Sequence, residues 1–227
     1  VRTQNSYHRT TGVSAGQPLY MAHFNVLSLI RPTMKHLMIA YGVDGDSGNL
    51  ANAAALGKQY YAFRNVKVTI VPFYPNESPI ERILPLLSTV DTLMCLEGCS
   101  IERYQMLLIK ECKKRNVVVF ASSMEMVKAG APIGYVADSL LTGQVLAGMV
   151  FDALWLDISM STMPIAYLGL NARRVVINKP AADELGLVFD EALFYLCKNS
   201  IVYGDLFLGE AGFLKGNRLP ERGEGNL

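Results

Sequence analysis

Four short apolar runs, each followed by a stretch of helical period, constrain this chain more than any other feature. Residues 35–41 (KHLMIAY), 65–72 (NVKVTIVP), 91–96 (DTLMCL) and 116–120 (NVVVF) have strand length and end at glycine, proline or polar residues. Between them lie helical segments at 49–63, 80–87 and 100–114, with Ser78 and Pro79 suited to the cap and first turn of the second. Strands alternating with helices imply crossover connections, so the expected fold class is α/β with a doubly wound parallel sheet.

After Phe120 the rhythm changes. A short helix follows Ser123, then a strand near 133–136, a long apolar helix over about 140–156, a strand at 173–178 and a short helix at 179–186 that Gly186 closes with a left-handed cap. The apolar stretch 140–158 contains Asp152 and Asp157 and falls short of the roughly 20 residues that span a bilayer, so it reads as a buried helix. Residues 215–227, rich in glycine and charge, read as loosely ordered.

Composition narrows the classes of partner. With 21 basic and 20 acidic residues the formal net charge is +1, which leaves no electrostatic footprint for nucleic acid. Cys95, Cys99, Cys112 and Cys197 contain no C-x-x-C pair, and free thiols fit better than a disulfide framework or a zinc site. No Walker A sequence, dinucleotide fingerprint or H-E-x-x-H is present, so no cofactor or metal is expected and no enzyme class gains support.

Two short motifs are misleading. Residues 12–16 (GVSAG) match the nucleophile elbow of α/β-hydrolases, but a polar stretch precedes them. His8, His23 and His36 all come before the first aspartate, Asp44, so the order serine, acid, histidine cannot be assembled. Residues 45–48 (GDSG) resemble a serine-protease segment, yet that segment belongs to all-β barrels and here joins a strand to a helix.

A more coherent group is formed by the polar residues at successive strand ends: Asp46 and Ser47, Glu97 and Ser100, Ser122 and Ser123. In a parallel sheet these loops emerge at one edge, where open α/β proteins bind ligands with hydroxyls and helix N-termini. With no arginine or lysine in those loops, a zwitterion or polyol fits better than a phosphate. At Ser47 helix capping and ligand contact are both open readings.

Three segments carry a family resemblance. Residues 134–138 (GYVAD), followed by Gly143, Ala147, Gly148 and Ala153, resemble the Gly-x-Asp-Tyr turn and small-residue helix of ABC transporter substrate-binding proteins related to tryptophan- and tyrosine-binding lipoproteins. Residues 175–187 (VVINKPAADELGL) are similar to that family's closing strand and helix, and Gly12, Val13 and Ser14 to its first hinge. The resemblance implies a type I periplasmic-binding fold, in which two α/β lobes joined by crossing strands close on an amino acid or similar solute. It also implies an ABC permease as partner, an extracytoplasmic location and no enzymatic activity.

About ten residues precede Gly12, where the family carries a first lobe of domain scale, on the order of a hundred residues. The resemblance therefore implies an incomplete first lobe. Its expected layout is a hinge or leader segment at 1–11, the second lobe at 12–130, a strand and helix of the first lobe at 131–157, closing elements of the second lobe at 158–203, and a flexible extension at 204–227. A first-lobe helix left without its lobe would expose apolar surface and favour self-association, a homo-oligomer through the incomplete lobe. Carried over by position, the candidate ligand contacts are Ser14, Ser47, Glu97, Ser100, Ser122 and Asp138. Glu97 or Asp138 would pair with a ligand ammonium, while Asp138 could equally cap the helix from Ser139. The alternative function is a sensory or structural module that docks a protein without transport.

Overall fold

The computed structural model describes residues 11–14, 20–43, 47–74, 77–96, 101, 104–167, 173–189 and 201–203. Its strands are β1 (Val13–Ser14), β2 (His36–Gly42), β3 (Lys67–Phe73), β4 (Thr92–Cys95), β5 (Val118–Ala121), β6 (Ile133–Ala137), β7 (Ala166–Tyr167), β8 (Arg173–Asn178) and β9 (Ile201–Tyr203). Its helices are α1 (Tyr20–Ile30), α2 (Ser47–Ala62), α3 (Pro79–Ile83), α4 (Gln105–Lys114), α5 (Met124–Lys128), α6 (Ser139–Trp155) and α7 (Lys179–Glu184). Residues 1–10 and 204–227, expected as leader and extension, lie outside the described residues.

One seven-stranded sheet runs in the order β3-β2-β4-β5-β6-β8-β9. From β3 to β6 every pairing is parallel, and the order turns at β2, with β3 on one side and β4 on the other. That reversal sends α2 to one face and α3, α4 and α5 to the other, the doubly wound arrangement read from the sequence. β8 runs antiparallel to β6. The chain leaves the sheet beyond Ala137 through α6 and returns at the same edge, so its next strand must run the opposite way.

The strand periodicity distributes side chains to two cores. Leu37, Ile39 and Tyr41 of β2 enter one with α1 and α2, and Met38 and Ala40 enter the other. Val118 and Phe120 of β5 likewise separate from Val119 and Ala121, and Ile133 and Tyr135 of β6 from Val136. Gly57 lets α2 approach closely, since a Cβ there would come within 2.7 Å of both Ile39 Cδ1 and Phe24 Cζ. The Tyr61 hydroxyl, inside the same layer, donates to the Phe24 carbonyl at 2.9 Å and ties α2 to α1.

Three expectations need revision. The helix foreseen at 80–87 is α3 followed by a 3-10 turn over Leu84–Thr89, because Pro85 lacks the N–H that an α-helical ladder requires. The segment 131–157, read as a strand and helix of the first lobe, divides: β6 lies in the seven-stranded sheet with both faces buried, and α6 leaves it. The helix read as buried at 140–158 is α6, which buries none of its residues and packs against β1, a strand of the small parallel pair β1-β7. Gly186 does adopt the left-handed conformation, with φ at 63°.

Candidate functional site

The parallel register sets the carboxyl ends of the central strands side by side. Ala40 of β2 lies beside Cys95 of β4, Met94 beside Phe120 of β5, and Ala121 beside Gly134 of β6. Ser122, directly after β5, is buried, and its hydroxyl donates to the Cys95 carbonyl, joining the ends of β4 and β5. That bond uses the hydroxyl proton and leaves the oxygen able to accept a further hydrogen bond. Ser123, the next residue, caps α5 by accepting from the Met126 N–H.

Ser47 is the first residue of α2, so the N–H groups of that helix open at the same edge, where a helix end favours negative charge. Asp46, Glu97 and Ser100 lie outside the described residues. Ser14 belongs to β1, which pairs with β7 apart from the main sheet.

Asp138 follows β6 at this edge, and its carboxylate is engaged on both sides. Oδ1 accepts from the Leu141 N–H at 3.1 Å and caps α6, while Oδ2 accepts from the Arg174 guanidinium, with Nε at 2.5 Å. The Asp138 side chain is 5% exposed and that of Arg174 30%, so the pair is only partly screened by water. Arg174 sits opposite Val136 in the β6-β8 ladder, and the ion pair thus fixes where α6 departs from the sheet.

A second polar cluster at this end of the sheet has no counterpart in the sequence reading. Arg173, opposite Ala137, is buried, and its guanidinium lies 3.4 Å from Nε2 of His23, a fully buried residue of α1. The imidazole meets Tyr135 edge-on at a centroid distance of 4.9 Å and Phe120 at 6.4 Å. The 150 residues separating the partners left no spacing to read.

The buried thiols are chemically quiet. Cys95 and Cys112 are free, and burial pushes both upward, Cys112 to about 12. At neutral pH neither supplies a thiolate for nucleophilic attack or metal binding. Among the described residues no group of three His, Cys, Asp or Glu side chains could hold a metal ion.

Comparison with known proteins gives this arrangement its context. Residues 3–201 match the family profile of ABC transporter substrate binding proteins. The chain belongs to that family. No curated protein matches it. Among solved structures, a conserved domain protein from Vibrio cholerae is 20% identical with a TM-score of 0.64, and the alignment covers 84% of this chain and 62% of that one. An ABC domain from Streptococcus pneumonia, solved in complex with L-Trp, is 19% identical with a TM-score of 0.64, covering 84% and 64%. The ligand-free, open structure of a substrate binding protein with adhesive properties from Clostridium difficile is 18% identical with a TM-score of 0.66, covering 85% and 62%. The chain therefore spans less than two thirds of the length of these proteins, with which it shares the type I periplasmic-binding fold.

Proposed function

We propose that this family member is the solute-binding component of an ABC transporter, taking an amino acid or similar small zwitterion at the carboxyl edge of β2, β4 and β5 without chemical conversion. The observation that carries the reading is the convergence there of Ser122, the N-terminus of α2 and the ends of three parallel strands, in a fold whose solved relatives include one in complex with L-Trp. Of the residues carried over by position, the proposed contacts are Ser14, Ser47, Glu97, Ser100 and Ser122. A ligand carboxylate is held by hydroxyls and by the N–H groups opening the helices after Ser47 and Ser100. Glu97 is the partner for the ammonium, because both oxygens of Asp138 already accept from Leu141 and Arg174; Asp138 then sets the exit of α6.

Contacts from a second lobe across the cleft would favour a closed form, which an ABC permease recognises. The proposed location is extracytoplasmic. Among the described residues no helix is long and apolar enough to cross a membrane. A second reading, a sensory or structural module that docks a protein without transport, draws support from the uncovered face of α6 and from the adhesive properties named for the C. difficile neighbour.

A thermal-shift screen of the chain against amino acids and polyols tests the first reading. A true ligand at 100 times its Kd adds about 2.7 kcal/mol of stability and raises Tm, and Glu97→Gln abolishes the shift. No shift with any of these solutes rejects the binding site, and the docking reading replaces it.

A further inference from the structure

We propose that His23 and Arg173 form an acid-sensitive clamp, closed while the imidazole is neutral and opened when it takes up a proton. This inference goes beyond solute binding and does not depend on it. The two side chains meet inside the core of this chain: His23 of α1 is fully buried, and Arg173, the first residue of β8, is 6% exposed. Nη1 of Arg173 lies 3.4 Å from Nε2 of His23. A guanidinium has only N–H groups to offer and cannot accept, so Nε2 is the acceptor and the ring proton sits on Nδ1. The contact therefore exists for the neutral imidazole alone.

Protonation removes it. An N–H on Nε2 would face the N–H groups of Arg173, and a second positive charge would enter a site that already holds one. Aromatic rings wall the site: Tyr135 of β6 at a centroid distance of 4.9 Å from the imidazole, Tyr20 of α1 at 5.7 Å and Phe120 of β5 at 6.4 Å. Among the described residues, the titratable or charged groups facing the imidazole are Tyr20 from its own helix, Tyr135 from β6 and Arg173 from β8; β5 contributes Phe120. Phenols ionise near pH 10 and a guanidinium stays charged throughout, so between about pH 5 and pH 7.5 the imidazole is the member of this group that changes charge.

The place of the clamp gives it a consequence. β1 precedes α1 in the chain and β7 precedes β8, and β1 and β7 pair with each other apart from the seven-stranded sheet. His23 and Arg173 thus tie together the two elements that enter the main sheet and its helical layer from that pair. The alternation of β8 sends the neighbouring Arg174 to the other face, where it ties the exit from β6 into α6 through Asp138. Adjacent arginines of one strand therefore hold three connections at the carboxyl edge, one through an imidazole and one through a carboxylate. The imidazole arm is the one that titrates close to neutrality. A group kept neutral in the folded chain takes up its proton first in the unfolded chain, so the stability this arm lends is complete above the ordinary histidine range and declines as pH falls through it.

Two measurements on the full chain test this. In imidazole NMR spectra, assigned by His8→Gln and His36→Gln, which each remove one signal, the His23 ring is neutral with its proton on Nδ1 and stays so below the ordinary histidine value of about 6.5. In urea titrations between about pH 7.5 and pH 5, the folded-to-unfolded ratio falls up to roughly thirtyfold further in the chain than in His23→Gln, because the unfolded chain takes up a proton that the clamp excludes. Glutamine keeps an acceptor for Arg173 without a titrating ring. His36→Gln, whose ring instead meets the Thr69 hydroxyl, leaves that fall in place. A His23 ring already protonated at neutral pH, a ring that titrates at its ordinary value, or a loss of stability in acid equal in the chain and in His23→Gln would each overturn the proposal.

Discussion

Strand β5 and helix α6 solve the same problem in opposite ways. All four residues of β5 are buried, and successive side chains enter different cores, so the strand is covered on both faces within its own sheet. The 17 residues of α6 are as apolar as a core helix, yet none is buried. The difference shows that apolar content gives the demand for a cover and topology decides what supplies it. The crossovers of β2 to β6 place helices on both faces of β5, whereas α6 exits beyond the last parallel strand and, among the described residues, rests on β1.

The largest expected effect breaks the buried side of this comparison. Phe120→Ala, at a fully buried position, costs about 3–5 kcal/mol of unfolding free energy in a urea titration. Leu154→Ala, at an exposed position of α6, changes it by no more than about 0.5 kcal/mol. Comparable losses would mean that α6 is covered within the same chain.

Next in size is the junction between the two regions. Asp138→Ala removes the cap on α6 and leaves the Arg174 guanidinium without its carboxylate, costing about 2 kcal/mol in the same titration. Asp138→Asn retains a capping oxygen and loses less. If the two variants are equally destabilised, the ion pair rather than the cap holds the junction.

The smallest effect sharpens the contrast through pH. Burial raises the Cys112 thiol from 9.0 to about 12 and also raises the phenol of Tyr61, both in the sheet's cores. A group raised in the folded state ionises first in the unfolded chain. The stability it lends is therefore complete below pH 9.0 and declines as pH rises toward 12. Stability measured by urea titration should be level from neutral pH to about pH 9 and fall above it. Cys112→Ala should flatten part of that fall.

The sheet was legible because each central strand is a compact apolar run bounded by turn residues, and β8 was read at its full extent, 173–178. Helix α1 was not. Its sequence, YMAHFNVLSLI, is apolar around most of its circumference and lacks the polar stripe that marks helical period. β1, β7 and β9 are two or three residues long, too short to display any period. At the edge of the sheet, Ser122 directly follows β5, the place after a strand that the sequence implied, and at Asp138 the capping role is the one the hydrogen bonds display. The His23-Arg173 contact was hidden because it joins an unrecognised helix to a strand 150 positions away. Glu97 and Ser100 lie outside the described residues.

Titration calorimetry of the chain with L-amino acids tests the central claim most directly. The account predicts saturable binding at a single site for at least one of them, lost in Glu97→Gln and retained in Leu154→Ala. Absence of binding heat for every amino acid, or binding that Glu97→Gln leaves unchanged, would contradict it.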